Sequence, residues 1–435
     1  MKKLHMLYFS VIALSVLLLC GCSFNVMSVA DVMSPPSVTG SKAGIHECLK
    51  ESTGDYTLKY PKSGEYRTAI IMKDLNFDGT EECIALYKPQ STASGISVSI
   101  LSLKSDVWKI DATFSDTSLE IDRVLFGDLN GDGRDDVIIG RGNYGVLPSK
   151  LTAYVNIEGS YRETSVEQSY NECICARFTD NKFDSIMLFT LGSSDTAAKA
   201  SLITMNDQKS EIKLVSETEI NSEVVSFDSI IYGHITKDRY GAAVEGILAD
   251  GRRLTQLLYC EGKSTIHLFS NGGANLLRNE DICCTDIDLD GIIEIPVMSK
   301  LKTEEDEKKS DTAAFVEWSV LNTEKEQLFA KSYGVCDFEY GYMYTVDESF
   351  SENFTVRKSD NGEMMFYEWD GKAYVPKKGK LLFTIKAFDE QVWLSGTDTH
   401  GYAEIISENG VCYAVKNEND SGFTADDIKQ HLLLI

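Results

Sequence analysis

The chain has 435 residues and a formal net charge of −25, with 43% hydrophobic and 25% charged residues. These proportions are near globular averages, and with only seven prolines they argue against a disordered chain. The excess of acid argues against nucleic acid and anionic surfaces as partners, because both repel a negative protein. It is compatible with divalent cations and with basic or neutral partners.

The first 21 residues have the pattern of a secretory signal peptide. A basic start at residues 1–3 is followed by an apolar stretch, Leu4–Leu19. The sequence LCGC at residues 19–22 resembles the lipobox of bacterial lipoproteins, in which the cysteine is acylated. By that resemblance Cys22 carries the lipid, palmitate included, and holds a lipoprotein on the extracytoplasmic face of the cell membrane. An ordinary cleaved signal is the alternative; a retained transmembrane helix is disfavoured because a bilayer needs ~20 apolar residues.

Residues 22–44 are predicted to be a flexible tether, since serine, proline and glycine recur there without a clear period. Ile45, Cys48 and Leu49 then have helical spacing and predict a short amphipathic helix. Residues 56–60 alternate in polarity and predict a strand. Residues 45–435 are assigned to one folded domain.

Three segments share one pattern of oxygen-bearing side chains: the first loop (74–82), the second loop (128–136) and the third loop (286–294). Each has oxygens at positions 1, 3, 5 and 9 and glycine at position 6. A hard cation needs several oxygens, and glycine permits the sharp turn that aims them inward, so the spacing predicts calcium. The predicted ligands, with backbone carbonyls at position 7, are Asp74, Asn76, Asp78, Thr80 and Glu82; Asp128, Asn130, Asp132, Arg134 and Asp136; and Asp286, Asp288, Asp290, Ile292 and Glu294.

These loops differ from EF-hands. An EF-hand has a bidentate glutamate at position 12 and a following helix, whereas position 12 here is Ala85, Ile139 and Val297. Short apolar runs follow each loop and predict buried strands. The chain also has no tandem Gly-Gly-x-Gly-x-Asp run, so the calcium repeat of parallel β-helices is not indicated.

The loop-then-strand units resemble FG-GAP/VCBS repeats, the blade unit of integrin-alpha-like β-propellers. In that family the loop links the first two strands of a blade and usually holds calcium. The resemblance implies an all-β fold, a β-propeller of four-stranded blades, with up to three structural Ca²⁺ sites. It also implies that the strand at 56–60 completes the last blade and closes the ring.

The spacing of the loops indicates the number of blades. The first two loops begin 54 residues apart, and the second and third begin 158 apart, which leaves room for two further units. Segments 176–189 and 233–244 have the loop-then-strand form without the full ligand set. Because a blade takes ~40–50 residues, about seven blades are predicted between residues 56 and 420.

The number and spacing of the cysteines favour free thiols over a metal site. Nine remain beyond Cys20 and Cys22, an odd number that cannot all pair internally. No Cys-x-x-Cys pair is present, so the zinc-knuckle spacing is absent. Buried free thiols are the favoured interpretation; one or two disulfides, or a metal or redox role, are the alternatives.

No sequence motif for catalysis is recognised. The five histidines of the mature chain include no His-Glu-x-x-His pair, and no Gly-x-Ser-x-Gly elbow or phosphate-binding glycine loop is present. A glycosidase-like carboxylate pair cannot be located, because such pairs form in space. Phe338, Tyr340, Tyr342 and Tyr344 alternate; packing between blades is favoured over a sugar-stacking platform.

The C-terminal segment predicts a docking helix. Thr424 is a candidate N-cap, and Asp427 stands at the third position of a capping box. Ile428, Leu432 and Ile435 are expected to face the body of the protein.

The sequence therefore favours a calcium-stabilised β-propeller on the cell surface that acts as a non-catalytic binding or adhesion module. Its expected partners are the membrane, through the lipid, and an extracellular protein or glycan, but not nucleic acid. The alternatives are an envelope-anchored hydrolase or lyase acting on polysaccharide, and a structural protein of envelope assembly. The ligand is not encoded in the scaffold, because propeller function lies in variable loops.

Overall fold

The computed structural model describes residues 41–92, 95–142, 149–179, 182–206, 208–209, 211–270, 276–299, 301, 313–322, 324–369, 380–418 and 422–435. The predicted signal peptide, the acylation site at Cys22 and the tether up to residue 40 lie outside these residues. So do residues 302–312 and 370–379.

Six antiparallel sheets make up most of the described chain, and in the second and third each strand pairs with the next along the chain. The first contains β1 (Tyr56–Leu58), β2 (Ile70–Lys73), β3 (Glu82–Pro89), β4 (Ile96–Lys104) and β5 (Val107–Asp116); the second contains β6 (Glu120–Gly127), β7 (Asp136–Gly142), β8 (Ser149–Ile157) and β9 (Ser160–Tyr170); the third contains β10 (Glu172–Ala176), β11 (Ser185–Thr190), β12 (Lys199–Met205) and β13 (Ile212–Glu219).

The other three sheets contain the second half of the chain. The fourth contains β14 (Val224–Thr236), β15 (Arg239–Leu248), β16 (Arg253–Glu261), β17 (Ser264–Leu268) and β18 (Leu277–Arg278); the fifth contains β19 (Ile295–Ser299), β20 (Ala314–Asn322), β21 (Gln327–Asp337), β22 (Tyr342–Val346) and β28 (Leu432–Leu434); the sixth contains β23 (Phe354–Lys358), β24 (Glu363–Glu368), β25 (Leu381–Asp389), β26 (Ala403–Glu408) and β27 (Val411–Asn417).

The hydrophobic core is divided into layers between successive sheets. One layer joins the first two sheets through residues such as Ile84 and Val137, and the next joins the second and third through residues such as Ile138 and Leu188. Further layers join the third to the fourth, the fourth to the fifth and the fifth to the sixth sheet. Meander sheets stacked face to face in chain order are the architecture of a multi-blade β-propeller, as predicted.

Four short helices among the described residues lie outside the sheets: α1 (Ser41–Thr53), α2 (Phe350–Asn353), α3 (Glu390–Ser395) and α4 (Ala425–Gln430). The predicted amphipathic helix is α1, which begins at Ser41, so residues 41–44 of the expected tether are helical. Its Ile45 and Leu49 are fully buried against the first sheet, beside Trp108. Among the residues described, no helix is both long and apolar enough to span a membrane.

The N-terminal strand does not close a ring. Tyr56–Leu58 pairs with β3 of the first sheet, so the prediction that this segment completes the last blade is wrong. Tyr56 packs edge-on against Tyr87, with ring centroids 5.4 Å apart, and follows α1 directly. The docking of α1 on the first sheet therefore fixes where the next strand can pair.

The described residues form six sheets, where about seven blades were predicted. The difference arises because four of the six sheets, the first, fourth, fifth and sixth, have five strands each, as where β28 pairs with β22 of the fifth. These strands enlarge existing sheets instead of making another blade.

The C-terminal helix has the predicted capping box, in which the Thr424 side chain and Asp427 bond reciprocally to backbone amides. Ile428 and Leu432 are buried as expected, but Ile435 is 42% exposed and does not face the core. Of the alternating aromatics, Tyr342 and Tyr344 are buried on β22, which confirms a packing role for these two. Phe338 and Tyr340 lie in the preceding turn instead of on the strand.

All nine described cysteines are free thiols, and five of them are buried, so the interpretation as buried free thiols is confirmed for those five. Pro296 lies on β19, which is at the end of its sheet and, among the described strands, pairs with β20 alone. Edge strands are where a sheet tolerates proline, because an edge strand has a neighbour on one side only.

Candidate metal centres

The three acidic loops occupy equivalent places in their sheets. The first joins β2 to β3, the second joins β6 to β7, and the third leads directly into β19. Strands follow all three loops, as predicted, and this excludes the helix that an EF-hand requires.

The aspartate at position 1 is the hub of each turn. Its two carboxylate oxygens accept the backbone N–H groups of positions 5 and 6, at distances between 2.8 and 3.2 Å in all three loops. Glycine at position 6 has φ values of 86°, 81° and 89°, a conformation that costs other residues strain. The three hubs are Asp74, Asp128 and Asp286.

The carboxylate at position 9 is buried beneath each loop. Glu82 is 7% exposed, while Asp136 and Glu294 are fully buried. Each accepts the backbone N–H of position 2, at 2.9, 3.1 and 3.0 Å respectively. Each loop therefore has a buried carboxyl group at position 9, whose charged form is stable only when it is neutralised or paired.

In the second loop, the buried charge has amide donors but no cationic partner. Asp136 accepts the N–H groups of Leu129 and Asn156, at 3.1 and 2.8 Å. Burial, with added repulsion from Asp132 and Asp128, raises the pKa of Asp136 to about 8. Within the described ranges, no lysine or arginine forms an ion pair with these three carboxylates. The donor set therefore fits a bound cation.

The first loop has the same character. Glu82 accepts the N–H of Leu75 and the side-chain amide of Asn76, both at 2.9 Å. Burial raises the pKa of Glu82, and repulsion from Asp78 and Asp74 adds to the rise. No cationic side chain among the described residues pairs with the carboxylates of this loop, so its oxygens also fit a divalent ion.

The third loop is different, because a lysine reaches into it. The Lys331 ammonium on β21 lies 2.8 Å from Asp288, 2.6 Å from Asp290 and 2.8 Å from Glu294. Partial burial lowers the pKa of Lys331, but hydrogen bonds to the three carboxylates have the larger effect and raise it. The Lys331 hydrogen bond also lowers the pKa of Asp290.

Carboxylate oxygens converge most closely in this third loop. Atoms of Asp286, Asp288 and Glu294 lie within 4.8 Å of one another, the one such group of carboxylate, histidine or cysteine ligands in the described part of the chain. The first two loops have asparagine at position 3, whose amide oxygen extends the ligand set instead.

The sequence identified the loop residues and their grouping but missed two features. The carbonyl role at position 7 stays a prediction; the structure shows the N–H groups of Thr80, Arg134 and Ile292 donating to the aspartate at position 5, at 2.8 to 3.0 Å. The first missed feature is the contact of Lys331 with Glu294, two residues that lie 37 positions apart in the sequence. No local pattern indicates that contact.

The second missed feature is a series of backbone hydrogen bonds between neighbouring sheets. Asp135 N–H donates to the Leu75 carbonyl at 2.7 Å, which ties the second loop to the first. Asp184 N–H of the third sheet donates to the Asp128 carbonyl at 2.7 Å, and Ile293 N–H donates to the His234 carbonyl at 2.8 Å. The loops are thus part of the contacts between blades.

The tips of two loops expose large apolar side chains. At position 4, Phe77 is 64% exposed and Leu289 is 88% exposed, with φ values of 57° and 61°. The second loop has Gly131 at this position. A bulky residue in the left-handed region is an outlier that costs stability and often marks a functional surface.

Comparison with known proteins agrees with this description. The FG-GAP repeat model matches residues 122–154, from β6 through the second loop into β8. No curated protein matches the sequence. Among solved structures, the crystal structure of Saccharomyces cerevisiae Sqt1 is similar over 83% of this chain and 98% of that chain, with 9% identity and a TM-score of 0.32, too low to carry an argument.

The fold and the matched segment define the class: a multi-blade β-propeller that contains an FG-GAP repeat. The prediction of such a repeat is confirmed for 122–154, which includes the whole second loop.

Proposed function

We propose that this protein is a lipid-anchored β-propeller of the bacterial cell surface, stabilised by calcium and used for non-catalytic binding or adhesion. The calcium part rests on one observation above all. Asp136 is a fully buried carboxylate beside Asp128 and Asp132, with no cationic side chain paired to the group within the described residues. A divalent ion removes that electrostatic cost.

Asp74, Asn76, Asp78 and Glu82 would hold the ion in the first loop. Asp128, Asn130, Asp132 and Asp136 would hold it in the second. Calcium accepts six to eight oxygens in flexible geometry, which suits a loop of carboxylates, amide oxygens and carbonyls. When bound, the ion supplies positive charge and cross-links the loop, while the protein residues orient the oxygens and tie neighbouring sheets together.

Thermal unfolding of the purified protein in millimolar calcium, and then in chelator, tests the calcium proposal. Calcium is expected to raise the melting temperature, and Asp132→Ala is expected to reduce that rise. An equal rise with magnesium would point to a non-specific cation effect, and the absence of any rise would contradict the proposal.

The binding part rests on the exposed loop tips. Phe77 and Leu289 present apolar surface to solvent from strained positions, an arrangement that packing within the fold does not explain. A protein or glycan ligand contacting the tips would bury this surface. The sheets then serve as a scaffold that holds the loops in fixed relation.

A screen of glycans and extracellular proteins in calcium tests the binding proposal. Leu289→Ser should weaken any interaction found, whereas Leu394→Ser, which alters a leucine 78% exposed on α3, should not. Equal loss from both variants would contradict a role for the loop tips. Turnover of a polysaccharide would favour the enzymatic alternative, and co-purification with envelope proteins alone would favour the structural one.

The anchor rests on the sequence at residues 19–22 and is tested separately. Mass spectrometry of the mature N-terminal peptide should find Cys22 acylated. Cys22→Ser should move the protein from the membrane fraction to the medium, whereas Cys48→Ala should leave it at the membrane. An unmodified Cys22 would contradict the lipoprotein assignment.

A further inference from the structure

We infer that Lys331 is the permanent cation of the third loop, so that this loop is a lysine-neutralised counterpart of the two calcium loops and does not take a metal ion. The inference rests on the proposed function for the first two loops, but it concerns a different set of atoms. Its support is the position of one ammonium group.

The Lys331 ammonium lies where the ligand oxygens of the third loop converge. It contacts both carboxylate oxygens of Asp288, at 3.0 and 2.8 Å, and one oxygen each of Asp290 and Glu294, at 2.6 and 2.8 Å. These residues occupy positions 3, 5 and 9, which are three of the four side-chain ligand positions of the loop. Calcium would need the same oxygens at about 2.3–2.6 Å.

An ammonium group suits this environment. It has three N–H donors and here finds three carboxylates, so its hydrogen-bonding capacity is satisfied. A calcium ion could enter only if Lys331 left and its charge were solvated elsewhere. The side chain is 26% exposed and extends from β21 within the same sheet as β19, so it is held by the sheet and not by a mobile segment.

The other two loops have no equivalent. Lys73 is 3.4 Å from Asp135 at position 8 of the second loop, outside the ligand positions. Lys104 pairs with Asp111 near the first loop and not with its ligands. In the described residues, the third loop is thus the one whose carboxylates already have a cation.

The geometry also explains why the third loop keeps an acidic pattern. Glu294 is fully buried, and Asp286 still organises the turn through the N–H groups of Asp290 and Gly291. A turn of this shape needs the acidic residues whether a metal or an ammonium neutralises them. The acidic pattern therefore predicts the turn and not the identity of its cation.

Counting bound calcium in the intact protein by equilibrium dialysis tests the inference. The wild type is expected to bind two ions, Asp132→Asn one, and Asp288→Asn still two. Lys331→Gln is expected to bind a third ion, while Lys213→Gln, at a lysine paired with Glu211 on the surface, stays at two. Three ions in the wild type, with one lost in Asp288→Asn, would overturn the inference without harming the proposed function.

A second measurement does not depend on the first two loops binding calcium. Acetylation of lysines followed by mass spectrometry should find Lys331 several-fold less reactive than Lys213, to the same extent in calcium and in chelator. Reactivity at Lys331 that equals Lys213, or that rises when calcium is added, would overturn the inference. A calcium count of zero with Lys331 protected would instead contradict the proposed function alone.

Discussion

The second and third loops are built on the same turn but are neutralised differently. Both have an aspartate hub at position 1, a glycine at position 6 with φ above 80°, and a fully buried carboxylate at position 9. In the second loop, Asp136 accepts two backbone N–H groups and pairs with no cation among the described residues, whereas in the third Glu294 contacts the Lys331 ammonium. We propose that this one residue on β21, two strands away from β19, decides whether the same pattern needs an external ion.

Removing calcium is expected to have the largest effect and to act on the first two loops only. Extracellular sites of this kind bind at ~10⁻⁴–10⁻³ M, and saturation to about 100 times the dissociation constant stabilises a fold by about 2.7 kcal/mol per site. Two sites give about 5 kcal/mol in urea unfolding with calcium compared with chelator. Asp132→Asn should halve this difference, and a variant that keeps all of it would place the sites elsewhere.

Replacing Lys331 is expected to have the next largest effect on stability. Its cost should be greatest in chelator and smaller in calcium. Lys331→Met leaves Glu294 buried beside Asp288 and Asp290 without a cation, which should cost about 2 kcal/mol in chelator after allowance for solvent screening. Added calcium should restore part of that loss by entering the vacated site. Lys213→Met is the matched control and should match the wild type in urea unfolding, and an equal cost in both variants would remove the distinction between the loops.

Matched substitutions at position 5 of the second and third loops should differ in two quantities: the stability in chelator and the stabilisation gained when calcium is added. Asp132→Asn should change little in chelator, because it relieves repulsion, but should lose the share of calcium stabilisation that the second loop contributes. Asp290→Asn should lose a contact with Lys331 and destabilise the protein slightly in chelator, with the calcium response intact. Thermal melts in both conditions distinguish the two patterns, and identical behaviour of the two variants would contradict the account.

The smallest effect is expected at position 4. Leu289→Gly should stabilise the third loop by about 0.5 kcal/mol, because relief of left-handed strain slightly exceeds the entropy that glycine loses on folding. Gly131→Ala should destabilise the second loop by a similar amount, since its φ is 73°. Urea unfolding in calcium measures both; a loss of stability in Leu289→Gly would mean that the leucine packs against the fold.

Sequence reasoning succeeded where the determinant is local. The spacing of Asp128, Asp132, Gly133 and Asp136 specifies the turn, and the apolar run after it specifies β7, so both could be predicted. The capping box at Thr424 and Asp427 is local in the same way.

It failed where the determinant is a distant pairing. Nothing in residues 56–58 indicates a partner on β3 in preference to the last sheet, and nothing in residues 432–434 indicates β22. The contact of Lys331 with the third loop is also a distant pairing. From the sequence alone, a lysine on a strand is interpreted as a solvated side chain, because its partners are known only from the sheet.

A crystal structure of the protein grown in about 10 mM calcium tests the central claim most directly, since this concentration exceeds the expected dissociation constants. The account predicts one ion in the first loop and one in the second, with the Lys331 ammonium still in contact with Asp288, Asp290 and Glu294 in the third. An ion in the third loop with Lys331 turned away, or a second loop without an ion, would contradict it.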